Sequence, residues 1–212
     1  MSKSQLAESF GFMAAPRSDD EMKWQARFIN EVESETTRGA VLNITSFIDE
    51  LLIKLLRGYF PNSRHADSLL ESLDSCISSI MDRANIAYAL ALLKKKEFDA
   101  IKIIARIRNE FAHKWDGSGF DAGELPKLIE KLPRDYFEYV DGSNKSKFNF
   151  VCSQIIQELL ERHHYASELS CGLPTEYMSI FDLTLEERQK IMKNERTLVS
   201  ILLTRNKNNK LS

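Results

Sequence analysis

Apolar residues recur along most of this chain at the three- and four-residue spacing of an α-helix, without the alternation that is typical of a strand. The spacing predicts helices over residues 20–34, 38–59, 65–75, 77–93, 97–113, 124–131, 147–170 and 185–203. In residues 77–93 apolar side chains occur on every side of the helix, so we expect this helix at the centre of the fold. The pattern therefore predicts an all-α protein built as a helical bundle.

Turn signals and composition divide the chain into three parts. Residues 1–20 contain Gly11, Pro16 and a Ser-Asp-Asp cluster, and we expect a flexible N-terminal tail. Residues 21–140 are predicted to form the helical bundle. After the turn signal at residues 141–144, residues 141–212 are predicted to form a C-terminal helical extension that packs on the bundle and ends in a basic tail.

Composition excludes several classes of protein. The formal net charge of −2 gives the whole molecule no electrostatic attraction to nucleic acid, although a local basic cluster can still bind it. Three widely separated cysteines and the absence of an apolar run of about 18 residues predict a reduced, cytoplasmic protein without a membrane span. His163 and His164 are adjacent and would point about 100° apart on a helix, so we expect no metal site, and no motif indicates a cofactor.

Arg108 is an unusual residue in the helix predicted over residues 97–113. It falls between Ile101 and Ile104 on the apolar face, where a guanidinium needs a carboxylate or a phosphate as partner. Asp49 breaks the apolar face of an earlier helix, and Arg38 lies on nearly the same side three turns before it. The sequence therefore predicts an ion pair between Asp49 and Arg108, with a phosphate ligand as the alternative.

The end of the same helix carries candidate chemistry. Asn109 and His113 are four residues apart and share a face, whereas Arg108 and His113 point about 140° apart on an uninterrupted helix. His113 can also interact with the exposed carbonyls at the helix C-terminus, which is a purely structural role. Four basic residues lie along one side, but Asp99 and Glu110 interrupt them, which favours a solvated mixed face over an RNA guide: Lys102, Arg106, His113 and Lys114.

Three separated blocks resemble the mannitol operon repressor (MltR) family, over roughly residues 25–125. The blocks are Thr37-Arg38-Gly39-Ala40 with Asp49-Glu50-Leu51-Leu52, then Asp82-Arg83 to Ala87-Tyr88-Ala89-Leu90, then Ile107-Arg108-Asn109-Glu110-Phe111-Ala112-His113. The resemblance implies an all-helical fold, a homodimer, and transcriptional repression through a protein partner rather than a helix-turn-helix. The residues that we expect to support the site are Arg38, Asp49, Glu50, Arg83, Tyr88 and Glu110.

The last block is also similar to the R-[N/D]-x3-H signature of HEPN domains, a helical superfamily that includes metal-independent endoribonucleases. This similarity implies that Arg108 binds the phosphate of RNA, that Asn109 orients His113, and that His113 acts as general acid and base across a homodimer interface. Two functions are therefore open after the sequence. A regulator that acts through protein contacts is favoured, and a ribonuclease with a toxin or defence role is the alternative.

Overall fold

The computed structural model describes residues 18–60, 63–71, 77–113, 119–134, 142–170, 183–197 and 200–201. The N-terminal tail up to residue 17 and the basic tail lie outside this part of the chain. The described residues form helices and no strand, which confirms the predicted all-α fold. The helices are α1 (Asp19–Ser34), α2 (Thr37–Tyr59), α3 (Ser63–Glu71), α4 (Ile80–Ala89), α5 (Lys95–His113), α6 (Leu125–Ile129), α7 (Asn144–Ser170) and α8 (Leu185–Met192).

The central helix of the bundle is α2. It contacts α1, α3, α4, α5 and α7, and it packs most extensively along α7. Its buried side chains occur at helical spacing and include Ile48, Leu52 and Leu55, none of which is exposed at all. Because α2 is apolar on a broad face and long enough to contact five other helices, its burial supplies much of the hydrophobic stabilisation.

The prediction that residues 77–93 form the central helix is wrong. The helix α4 is only ten residues long and buries Arg83, Ala84 and Ala87, while Tyr88 is exposed. It begins at a capping box between Ser79 and Asp82. It ends because Ala91 takes a φ of 59° and the Leu92 N–H donates to the Ala87 carbonyl oxygen at 2.8 Å, the pairing of a Schellman motif.

The helix α7, which lies in the predicted C-terminal extension, shares the core of the bundle. Phe148, Val151, Ile155 and Ile156 are buried in the same apolar cluster as the residues of α2 and α5. Phe120, from the loop before α6, lies between Phe111 of α5 and Phe148, at ring-centroid distances of 5.0 and 5.2 Å. These ring contacts attach the loop before α6 to the bundle.

A buried ion pair connects α7 to the start of α5. The Arg162 guanidinium donates to both carboxylate oxygens of Glu97, at 2.6 and 2.8 Å, and also to the Leu92 carbonyl oxygen. Glu97 also accepts a hydrogen bond from the backbone N–H of Lys94. Backbone N–H groups at a helix N-terminus have no partner within the helix, so the Glu97 carboxylate supplies one. Burial raises the pKa of Glu97, but these hydrogen bonds outweigh it, so the pKa lies below its ordinary value.

The last helix is shorter than the predicted span to residue 203. A capping box of Thr184 and Glu187 begins α8. The helix ends at Met192 because Asn194 takes a φ of 58° and the Glu195 N–H donates to the Lys190 carbonyl oxygen. Among the helices of the described ranges, none combines the length and the apolar character that a membrane span requires.

Candidate functional site at the end of α5

The residues Arg108, Asn109 and His113 all lie exposed on the last turns of α5, which continues without interruption to His113. The prediction that Arg108 is buried in the apolar face is wrong. Ile101, Ile104 and Ile107 are fully buried, and Phe120 covers the Phe111 side of the helix end. The side of Arg108 remains uncovered in the described structure, so its guanidinium needs no buried counter-charge.

The predicted ion pair between Asp49 and Arg108 does not form. The Nη1 atom of Arg83 donates to both oxygens of Asp49, at 2.8 and 2.6 Å, and Nη2 donates to the Leu70 carbonyl oxygen at 2.8 Å. Arg83 lies on α4, and its long side chain reaches between Asp49 of α2 and Leu70 of α3. Burial raises the pKa of Asp49 and outweighs the lowering by the Arg83 guanidinium. The pair is therefore a contact between helices.

Arg38 holds the end of α5 in place. Its Nη2 atom donates to the carbonyl oxygen of Ala112 at 2.9 Å, across 74 residues of sequence. The carbonyls of the last helical turn have no partner within the helix, so a guanidinium is a favourable ligand for them. Arg38 thus connects the first turn of α2 to the segment that carries His113.

Asn109 interacts with Arg108 rather than with His113. The Arg108 Nη1 atom donates to the Asn109 Oδ1 atom at 3.2 Å, and among the described contacts no hydrogen bond joins Asn109 to His113. This bond turns the Arg108 guanidinium towards the face of Asn109 and His113. On this uninterrupted helix the side chains of Arg108 and His113 leave the axis about 140° apart.

The other predicted supporting residues lie in different places. Glu50 is exposed on α2 and pairs with Lys54 at 3.0 Å. Tyr88 is 39% exposed and stacks on Phe98 at 4.9 Å between ring centroids. Glu110 is half-buried on α5, one residue from Asn109. The structure therefore brings Arg38 and Glu110 to the end of α5, but not Glu50 or Tyr88.

A cleft between α1, α2 and α7 was not predicted from the sequence. This cleft of about 350 Å³ is lined by Trp24, Leu51, Leu160 and the polar residues Lys54 and His163, among others. The Lys54 Nζ atom lies 3.9 Å from the centroid of the Trp24 ring, which is a cation–π contact. These residues come from three distant segments, so no local spacing indicates them.

In the described ranges, no three His, Cys, Asp or Glu side chains lie together in a way that could hold a metal ion. No protein-family model, curated protein or solved structure matches the chain.

Proposed function

We propose that this protein is a transcriptional regulator of the MltR type, which acts through contacts with a protein partner. The observation that carries the proposal is the meeting of the three sequence blocks that resemble that family. Arg38 of the first block binds Ala112 of the third, and Asp49 of the first pairs with Arg83 of the second. Residues that are far apart in sequence thus support one another in space, as expected for blocks that specify a common fold.

In this proposal the exposed end of α5 is a surface for contact. Arg108, Asn109 and His113 are presented to solvent on a helix that Arg38 fixes to the bundle. An arginine and a histidine on a rigid, exposed helix end are suitable contacts for a partner. We expect a homodimer in which each protomer presents this surface, and we expect repression without a DNA-reading helix.

The test compares transcripts in the native host with and without the gene. We expect a defined set of transcripts to rise in the deletion strain and to return to normal with the wild-type gene or with His113→Ala. Purified protein should not retard the corresponding promoter DNA by itself. Unchanged transcripts in the deletion strain, or direct retardation of the promoter by pure protein, would contradict the proposal.

A second candidate function is a metal-independent endoribonuclease of the HEPN type. The exposure of Arg108, Asn109 and His113 favours this function. If these residues served only to stabilise the fold, we would expect Arg108 to form a buried ion pair with Asp49, but Asp49 is bound by Arg83 instead. Arg108 has instead no carboxylate partner in the described residues, and its guanidinium is turned towards the His113 face by Asn109. A guanidinium that can bind phosphate and an exposed imidazole that can transfer protons lie on the same helix end, and these are the groups that phosphoryl chemistry requires.

The roles of the residues follow from their chemistry. The RNA 2′-hydroxyl oxygen attacks the adjacent phosphorus, and the bond to the 5′ oxygen breaks, which leaves a 2′,3′-cyclic phosphate and a 5′-hydroxyl. His113 accepts the proton of the attacking hydroxyl or donates one to the leaving oxygen. Arg108 stabilises the charge that develops on the phosphate oxygens, and Asn109 positions Arg108.

The ribonuclease is tested by incubating total RNA with the purified protein in EDTA. We expect 2′,3′-cyclic phosphate ends with the wild type and loss of cleavage with His113→Ala and Arg108→Ala. The matched controls are His65→Ala and Arg27→Ala, which remove the same side chains from exposed positions on α3 and α1. Absence of cleavage by folded wild-type dimer excludes this function, and equal loss in the controls excludes the assigned residues.

A further inference from the structure

The cleft between α1, α2 and α7 has an apolar floor. Leu51 of α2 and Leu160 of α7 line it, and these residues are only 1% and 6% exposed. The cleft volume of about 350 Å³ lies within the range of sites that bind small organic ligands. None of the described lining residues belongs to α5, so the cleft does not share a residue with the site around Arg108 and His113. The leucine floor offers burial to the apolar part of a ligand.

A cation lies in the wall of the cleft. The Lys54 Nζ atom is 3.0 Å from a carboxylate oxygen of Glu50 and 3.9 Å from the centroid of the Trp24 ring. An ammonium group has three N–H donors, so these two contacts leave one donor for a further acceptor. The Lys54 side chain is 35% exposed, and it lines the cleft. It can therefore donate a hydrogen bond to an anionic ligand.

A histidine on the opposite helix gives the cleft a second polar group. His163 follows Leu160 by three residues on α7, and Lys54 follows Leu51 by three residues on α2. Residues three apart lie on the same side of a helix, so each helix presents one leucine and one donor to the cleft. A neutral imidazole still donates through one ring nitrogen. Two donors and an apolar floor suit a ligand with one anionic end and an apolar body.

The acidic residues around the cleft favour a ligand with a single negative charge. The side chain of Asp20 is 97% exposed and lies 4.0 Å from Lys23, so water and the lysine screen its charge. Glu50 lies beside Lys54. One anionic group can bind to the ammonium of Lys54, but a second negative charge would meet these carboxylates and be repelled.

The ring of Trp24 already has neighbours. The Lys54 ammonium lies over the ring, and the Phe47 ring lies at 4.6 Å between centroids with an interplanar angle of 33°. A ligand ring would have to displace one of these groups in order to stack on Trp24. The leucine floor imposes no such requirement, so the cleft favours an aliphatic body over an aromatic ring.

We propose that the cleft between α1, α2 and α7 binds an aliphatic monocarboxylate. Its carboxylate accepts hydrogen bonds from Lys54 and His163, and its chain lies on Leu51 and Leu160. This inference goes beyond both functions proposed above, since binding requires neither a protein partner nor RNA.

Binding is tested by isothermal titration calorimetry of the full chain with sodium octanoate at pH 7. Octanol is the uncharged probe, and octyl phosphate is the probe that carries more than one negative charge. Lys54→Met replaces the ammonium by an apolar group of similar length, and Lys54→Arg keeps the charge. The matched control is Lys190→Met, because Lys190 on α8 is 41% exposed and pairs with Glu186 four residues earlier, at 2.9 Å. Circular dichroism verifies the helicity of all variants.

We expect saturable binding of octanoate by the wild type with a Kd of about 1 mM or below. Lys54→Met should weaken octanoate binding by at least about 10-fold, because a hydrogen bond to a charged group is lost. The same variant should bind octanol as well as the wild type does, whereas Lys54→Arg and Lys190→Met should retain octanoate binding. Heptanoate and hexanoate should bind more weakly than octanoate by about 4-fold for each CH₂ removed.

No saturable binding of octanoate by the wild type would overturn the proposal. Equal losses of octanoate and octanol in Lys54→Met, or an equal loss of octanoate in Lys190→Met, would remove Lys54 from the site and overturn it as well. Affinities that do not change with chain length would exclude the leucine floor, and octyl phosphate that binds as tightly as octanoate would exclude the assignment to a monocarboxylate. None of these results changes the outcome of the transcript and RNA tests, so this proposal and the proposed functions fail separately.

Discussion

Single arginines and carboxylates determine how the helices of this protein are joined. Arg83 links α2, α3 and α4 through Asp49 and Leu70, Arg162 links α5 and α7 through Glu97, and Arg38 links α2 to the end of α5. Arg83 and Arg162 each donate to a backbone carbonyl oxygen near a helix end as well as to a carboxylate. Arg38 donates to a backbone carbonyl oxygen alone. These residues therefore fix the relative positions of helices whose apolar faces would tolerate small shifts.

The Glu97–Arg162 pair gives a prediction on pH. At pH 7 we expect Glu97→Gln to lower the free energy of unfolding by about 3 kcal/mol, because it leaves part of a buried guanidinium without its counter-charge. The folded-state pKa of Glu97 is depressed, so its contribution is present above the ordinary glutamate value of about 4.3 and is lost as the pH falls through the folded pKa. Urea unfolding measured between pH 7 and pH 3.5 should therefore show the difference between wild type and variant becoming smaller.

The control for this experiment is Glu158→Gln. Glu158 also accepts from Arg162, at 2.8 Å, but its side chain is 41% exposed. We expect its replacement to cost no more than about 1 kcal/mol. A difference between wild type and Glu97→Gln that stays constant or grows at acid pH would contradict the assigned role of Glu97.

At the scale of the element, helix ends are where the structure departs most from the sequence prediction. Both α4 and α8 end earlier than their apolar pattern suggests, each with a residue at positive φ, Ala91 and Asn194. Asparagine is common in this conformation and alanine is not, because the alanine Cβ meets the following carbonyl oxygen. The end of α4 was therefore invisible in the sequence, since no glycine or asparagine marks it.

Ala91→Gly should stabilise the protein by about 0.5–1 kcal/mol. Glycine removes the steric cost of the positive φ, which exceeds the entropy that glycine adds to the unfolded chain. Ala91 is exposed, so the change removes no packing. The midpoint of thermal or urea unfolding measures the effect.

The matched control is Ala89→Gly, an exposed alanine with helical geometry at the end of α4. We expect this change to lower stability by about 0.5–1 kcal/mol, because glycine is less favourable than alanine in a helix. Two changes of the same sign would show that the positive φ of Ala91 carries no strain.

For the whole molecule, the important result is that the helices α1 to α7 share a single core. Residues of α7, which follows the predicted boundary at residue 141, are buried in the same cluster as those of α2, α5 and the Phe120 loop. The aromatic contacts Phe111–Phe120 and Phe120–Phe148 cross that boundary. We therefore expect the bundle and α7 to unfold together.

Phe148→Ala should destabilise the whole protein by about 3–5 kcal/mol, because it leaves a cavity between α7 and the Phe120 loop. Phe150→Ala is the control, since Phe150 lies two residues away and is 37% exposed, and its replacement should cost about 0.5 kcal/mol. Urea unfolding followed by circular dichroism and by tryptophan fluorescence should give one coincident transition for wild type and variants. Two separate transitions would show that α7 belongs to an independent unit.

The sequence by itself determined the all-α class, the position of most helices and the motif at the end of α5, because helical periodicity and caps are local properties. It did not determine which charges meet. The spacing places Arg108 on the apolar side of its helix, yet Arg108 is exposed because Phe120 covers the helix end only on the Phe111 side. Asp49 pairs with Arg83 because α4 packs against α2. Tertiary structure also decided that α2 and not α4 is central, since burial depends on which helices surround a segment and not on its composition alone.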